Sequence, residues 1–232
     1  MSAPTFGTSD KLNLGSDWEC QSWTETEAKS RATAVGNDGD VVASSLYNTI
    51  VSGTARYIYV GTATNLVTAL TSAGVHVGKV KNGFLITGIE VDYSPCASGK
   101  RPVVIFTYRS GPTSDCAVYI PTITLPTFTN STPYVPDLIP HTDADSEIQT
   151  CTYSLRSDFG FDLGADGEFL AGCNYGGEET ISATYVGKPA LTTTGWDVTS
   201  SPGTGGGETS NTSYDTYTYT FVKSLTRSTT TT

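Results

Sequence analysis

The chain has 232 residues, 37% of them hydrophobic, and a formal net charge of −10 from 13 basic and 23 acidic side chains. A chain of this length buries one large core or two small ones. Its hydrophobic share is below the roughly 45–50% of ordinary globular proteins, and its Thr, Ser, Gly and Tyr suit short half-buried strands and polar turns. The acidic balance argues against tight nucleic-acid binding through a basic footprint, no apolar run reaches the roughly 20 residues of a membrane span, and the N-terminus does not read as a secretory leader.

Residues 1–15 read as an extended arm containing Pro4 and no periodicity. Asp17 to Arg31 opens a polar strand in which Trp18, Cys20 and Ser22 share one face, with Glu19, Gln21 and Trp23 on the other. Asn37-Asp38-Gly39-Asp40 is a hairpin signal, because Asp-Gly tolerates the positive φ of a tight turn. Ser52 to Gly61 is the next strand. Thr62 to Gly74 is the one helix, capped by Thr62 or Thr64, with Leu66, Val67 and Leu70 as its apolar stripe and Gly74 at its end.

Phe84 to Tyr93 and Val103 to Arg109 form a paired ribbon. Pro121 to Glu147 then holds five prolines and, at its end, Asp143, Asp145 and Glu147, as an extended linker does. Ile148 to Leu155 and Thr180 to Val186 are strands. Ser200 to Ser213 is a Gly- and Ser-rich loop. Tyr214 to Val222 alternates with period two, so that Tyr217, Tyr219 and Phe221 face one way, and Ser228 to Thr232 is a frayed tail.

The chain repeats itself. Asp38-Gly39-Asp40-Val41-Val42-Ala43 leads to Tyr57-Ile58-Tyr59-Val60-Gly61, as Asp166-Gly167-Glu168-Phe169-Leu170-Ala171 leads to Ala183-Thr184-Tyr185-Val186-Gly187. Thr87-Gly88-Ile89-Glu90-Val91-Asp92-Tyr93-Ser94-Pro95 is answered by Thr194-Gly195-Trp196-Asp197-Val198-Thr199-Ser200-Ser201-Pro202, and each copy closes on an aromatic strand. The expected architecture is therefore all-β: two tandem β-sandwich or barrel-like domains related by internal duplication, with one short helix in the first. Residues 1–120 form the first domain, 121–147 the linker and 148–232 the second domain.

Chemistry has few candidates. The two histidines, His76 and His141, lie near no nucleophile elbow, and G-x-S-x-G is absent. Acid pairs suited to glycoside hydrolysis are Glu90 with Asp92, Glu178 with Glu179, and Asp162 with Asp166. Asp38-Gly39-Asp40 and Asp162 to Glu168 are oxygen-rich turns without the spacing of an EF-hand. Ser98-Gly99-Lys100-Arg101 lacks the glycines of a phosphate loop. Cys20, Cys96, Cys116, Cys151 and Cys173 show no CxxC spacing and read as reduced thiols. No catalytic, cofactor or metal residue is assigned and no cofactor is expected. The Tyr/Thr strand 214–222 would suit a sugar-stacking platform, so a carbohydrate-binding or adhesive tandem sandwich is the alternative to an assembly role.

The polar strands Ile148 to Ser154, Gly164 to Gly172, Glu178 to Gly187 and Tyr214 to Arg227, with their counterparts in residues 17–110, resemble the tail-tube proteins of long-tailed bacteriophages, in the duplicated-domain form. The resemblance implies flattened sandwiches packed side by side so that their strands line a common barrel. It also implies trimeric or hexameric rings stacked into a tube, contacts with other phage tail proteins, and DNA passing through an acidic lumen without tight binding. On that reading the chain is a non-enzymatic virion component without membrane contact. The Pro-rich linker and the helix confined to the first copy depart from strict equivalence of the two halves.

Overall fold

The fold is known from a computed structural model, which describes residues 11–95, 100–125, 147–164, 169–186, 191, 195–202 and 216–225. The expected N-terminal arm up to residue 10, most of the linker, the turn containing Asp166-Gly167, the loop beyond Pro202 and the C-terminal tail lie outside the described residues. So do His141 and Cys96.

The all-β expectation is met. The strands are β1 (Trp18–Val35), β2 (Val41–Tyr59), β3 (Val80–Lys81), β4 (Phe84–Asp92), β5 (Val103–Ser110), β6 (Glu147–Leu163), β7 (Phe169–Val186), β8 (Asp197–Pro202) and β9 (Thr216–Leu225); helix α1 (Leu66–Ala73) follows β2. All nine belong to one sheet with the order β1-β2-β5-β4-β6-β7-β9-β8, β3 lying beside β4. The four-strand order is the same twice: a hairpin, the closing strand, then the third strand. The halves meet where β4 pairs antiparallel with β6, from Gly88↔Arg156 to Asp92↔Thr152. Sequence reading separates the halves at the linker, whereas the described strands join them in a shared sheet with a shared core.

Several local details differ from the sequence reading. Asn65, not Thr62 or Thr64, caps α1: its side chain accepts from Val67 N at 2.7 Å, and Gly74 closes the helix with φ 67° as expected. Gly39 has φ 87° at the β1–β2 turn, where Gly36 N donates to Asp40 O at 2.8 Å, as the Asp-Gly signal requires. The pairing of β1 with β2 slips between Cys20 and Ser22. A bulge of this kind adds one residue and re-aims those beyond it, which places Trp23 with Trp18 and Cys20 against the core, not opposite them. β2, β6 and β7 extend well beyond the predicted strands, and Ser200 to Pro202 belong to β8 instead of a loop.

One face of the sheet is buried. Tyr57, Val104, Phe106, Tyr108, Ile89, Val91, Tyr153, Leu155, Ile181, Tyr185, Tyr219 and Phe221 alternate inward and form a single cluster with Leu66 and Leu70 of α1, Val75, Val77, Tyr119 and Leu125. The cluster draws on both halves of the chain. Trp18, Tyr57, Tyr59 and Phe106 meet edge to face with centroids 5.0–6.4 Å apart, the geometry that aromatic quadrupoles prefer.

The segment 111–125 straps this face. Cys116 N donates to Gly78 O at 2.8 Å, Tyr119 N to Val77 O at 2.9 Å, and Leu66 N to Leu125 O at 2.6 Å. From β7, Asn174 Nδ2 donates to Ala117 O at 2.5 Å. Gly78 has φ 93°, and a Cβ there would sit 2.2 Å from Ala117 O, so only glycine lets the strap approach. The firmest tie is Glu179, which is fully buried. It accepts from Thr122 N at 2.5 Å, from the Thr122 hydroxyl, and from the Tyr153 hydroxyl at 2.8 Å, and Lys223 Nζ donates to Thr122 Oγ1 at 2.9 Å. A carboxylate this deep is tolerated because three donors are aimed at it.

Replacing Glu179 with Ala removes the acceptor of all three donors, Thr122 N–H, the Thr122 hydroxyl and the Tyr153 phenol. The expected loss is about 3 kcal/mol of folding stability, read as a lower urea midpoint at unchanged slope. A second prediction concerns alkaline pH. Burial, then the charge of Glu179, raises the Tyr153 phenol above its ordinary value, and burial followed by the Glu25 hydrogen bond does the same to Tyr108. The unfolded chain releases these protons near pH 10 while the folded chain keeps them. Their stabilisation is intact below about pH 10 and declines above it, by up to about 1.4 kcal/mol per pH unit for each phenol. Denaturation curves between pH 9 and 11 should show the decline, with a shallower slope in Tyr153→Phe.

Candidate assembly surface

Two features of the sheet remain unfinished: its ends and its hairpins. Among the described residues β1 pairs only with β2, and β8 only with β9. An open strand edge leaves a row of N–H and C=O groups ready to pair with another chain. The side chains at both edges are in an intermediate state: Trp23 on β1 and Val198 on β8, with Trp196 just before it, are partly buried against the common core.

The hairpins run past their supports. β2 loses its pairing with β5 after Ser52↔Arg109, so Glu27–Val35 and Val41–Val51 continue as a two-stranded arm about 27 Å long. Likewise β4 leaves β6 after Arg156 and β9 leaves β7 after Gly177, so Ser157–Leu163 and Phe169–Gly177 form a second arm about 20 Å long. Every neighbouring pair in the sheet is antiparallel, which makes β1 and β6 point the same way and sends both arms out from one end.

Six of the seven large hydrophobic residues exposed among the described residues lie there, Ile120 of segment 111–125 being the seventh. Val35, Val41, Val42 and Leu46 of the first arm are 58–68% exposed, and Leu170 and Tyr175 of the second are 60% and 74% exposed. Val42, Leu170 and Tyr175 are each the extra residue at a register shift, where a bulge re-aims a side chain. Tyr175 lies over Gly160, where a Cβ would meet its hydroxyl at 2.3 Å.

The arms differ in support. The inner face of the second carries Phe161 in ring contact with both Phe159 and Phe169, with the Arg109 guanidinium 3.8 Å from the Phe161 ring centre. The outer part of the first arm is exposed on both faces wherever its side chains are described. An isolated two-stranded ribbon is marginal in water, so a ribbon of this length with valines at its tip is a surface that gains by being covered.

At the other end of the β1–β2 hairpin is an open pocket of about 400 Å³ lined by Leu14, Asp17, Trp18, Tyr59, Ala63 and Ser72 among others. Its size lies in the ligand range of roughly 300–1,000 Å³, but Asp17 is its one carboxyl.

The candidate catalytic groups do not converge. Glu178 is exposed and accepts from Thr180 at 3.3 Å, while its neighbour Glu179 is consumed in the strap. Glu90 faces Arg156 at 3.9 Å, and Asp92 accepts from Ser94 N at 2.9 Å. Asp162 is exposed on the second arm, and Asp166 lies outside the described residues. Asp38 Oδ1 accepts from Asp40 N at 3.4 Å within the turn. His76 is buried, with Nε2 3.1 Å from Thr71 Oγ1, and burial followed by Lys79 lowers its pKa. Cys20, Cys116 and Cys151 carry thiols, the last of them buried. Among the described residues no three of His, Cys, Asp and Glu are placed to hold a metal ion, and no helix is long and apolar enough to cross a membrane. Tyr219 and Phe221 of the Tyr/Thr strand are buried and Tyr217 is half-buried, which leaves no open aromatic platform among the described residues of that strand.

Sequence reading missed the length of the arms and the partnership of Glu179. The valines flanking the Asp-Gly turn signalled the first; nothing local signals the second, since Thr122 is 57 residues away. Comparison with known proteins brings no matching family model and no similar curated sequence.

Proposed function

We propose that the chain is a non-enzymatic virion structural protein that joins edge to edge with copies of itself into rings, which stack into a tail tube conducting DNA. One observation carries this reading: the junction β4–β6 inside the chain has a counterpart that the chain cannot complete alone. In the repeated strand order β8 stands where β4 stands, and β1 where β6 stands. Pairing β8 of one copy with β1 of the next repeats the internal junction.

The register follows from the repeat. Glu90-Val91 corresponds to Asp197-Val198. With Tyr59 set against Tyr185, the pairs Trp23↔Ala55 and Thr24↔Thr54 correspond to Tyr153↔Ile181 and Ser154↔Thr180. The internal pairs Val91↔Tyr153 and Glu90↔Ser154 therefore become Val198 against Trp23 and Asp197 against Thr24 between copies. Burial is consistent with this register. Val198 and Trp23 are half-buried toward the core, and Asp197 and Thr24 are exposed outward. With two equivalent half-units per copy, three copies give a ring with sixfold pseudo-symmetry, a closed heterologous assembly. A net charge of −10 lets DNA phosphates pass such a ring without sticking.

The test is a cysteine pair, Thr24→Cys with Asp197→Cys in the full chain. Oxidation should link copies into covalent species of three or six on a non-reducing gel, while either single variant and the parent chain do not. Negative-stain images of the parent should show rings or tubes of uniform width. A strict monomer in light scattering across a concentration series, with no cross-link in the double variant, defeats the reading.

A further inference from the structure

We infer that the open pocket beside α1 is a binding site for one neutral sugar unit. The site is independent of the assembly edges. Three segments build it: the turn that leads into β1, the end of β2 with the loop after it, and one face of α1. It encloses about 400 Å³, room for one small ligand.

The walls are preformed. Asn13 and Gly15 have φ 45° and 94°, which turns the chain before β1, and Trp18 N donates to Gly15 O at 3.2 Å. Val60 N donates to Asp17 O at 2.8 Å, and Ala63 N donates to the Tyr59 hydroxyl at 3.0 Å. A Cβ at Gly61 would sit 2.3 Å from that hydroxyl, so glycine makes room for the Tyr59 phenol. The Tyr59 ring meets the Trp18 indole edge to face, with centroids 5.0 Å apart. Groups already held in place lose little freedom when a ligand arrives.

Helix α1 leaves the space open. Ala69, Ser72 and Ala73 share one face of it, three and four residues apart. The methyl groups of Ala69 and Ala73 are buried and leave unfilled the volume that longer side chains would occupy.

The chemistry changes from floor to mouth. The floor is apolar, since Leu14, Trp18, Tyr59, Ala69 and Ala73 are all buried hydrophobic residues. The mouth carries the exposed residues Ser16, Asp17, Thr62 and Ser72. Their three hydroxyls donate and accept, and the carboxylate accepts from more than one donor. No lysine or arginine lines the pocket, so an anionic ligand meets no countercharge. A sugar suits both parts. Its C–H face matches the floor, and its hydroxyls supply donors for Asp17 and partners for the three side-chain hydroxyls. A quaternary ammonium ion would use Asp17 alone, because it has no donor to offer the hydroxyls.

The experiment uses the full chain. The probes are the methyl glycosides of glucose, galactose and mannose, free N-acetylglucosamine, and tetramethylammonium. Saturation-transfer NMR should show at least one of the sugars bound, and equilibrium dialysis gives its affinity. Ser72→Trp, which closes the mouth, should abolish binding. Asp17→Ala should weaken it at least about tenfold. Circular dichroism checks that each variant is folded, and Ser72→Arg replaces Ser72→Trp if that chain does not fold. Three results overturn the inference. One is a parent that binds no sugar at tens of millimolar. Another is parental affinity in either folded variant, which puts the bound sugar elsewhere on the chain. The third is tetramethylammonium bound where no sugar is, which makes the pocket a cation site.

Discussion

Backbone hydrogen bonding along the sheet is the constraint from which everything else follows. In the body of the sheet each inner strand commits its N–H and C=O groups to two neighbours, and among the described residues eight strands form a row whose outermost two, like the arm segments of β2, β6 and β7, pair on one side only. The row is two equal sets of four, and the seam between them is an ordinary antiparallel pairing of five residues on each strand. The first and last strands of the row have the same unmet need that the seam satisfies, and the side chains beside them are already half-turned to the core.

The strap shows how the covered face is held while the edges stay open. Segment 111–125 crosses above the sheet and is tied down by Asn174 and Glu179 of β7 and by glycine at position 78. A loop that would leave buried backbone groups unsatisfied is made to pair with the residues before β4, with β7 and with α1, at the cost of one buried carboxylate. The strap comes from the first half of the chain and its anchors Asn174 and Glu179 from the second, so the two sets of strands are joined by the strap as well as through the sheet.

Much of this was legible in the sequence. Period-two alternation at Tyr217 to Phe221 gives the right faces, Asp38-Gly39 gives the turn, and the ribbon of Phe84 to Tyr93 with Val103 to Arg109 is met by the pairing of β4 with β5. What was not legible has specific physical causes. Register shifts defeat alternation: counting by twos put Trp23 opposite Trp18, and the slip near Gln21 returns it to the core. The first arm reads too short because small and polar pairs such as Thr33↔Ser44 and Ala32↔Ser45 leave no hydrophobic face to mark it. The bond between Glu179 and Thr122 depends on two segments far apart in the chain meeting in space. Asn65 displaced both threonines as the helix cap because the helix starts later, at Leu66, whose N–H is bound to Leu125.

Both arms leave the sheet at the same end, since every neighbouring pair is antiparallel and the strand order repeats. The molecule is therefore a vector. Any object made by joining such copies sideways inherits an up and a down, with ribbons on one rim and strand termini on the other. Its two rims are chemically distinct, so whatever starts growth and whatever terminates it must recognise different surfaces and cannot be interchanged.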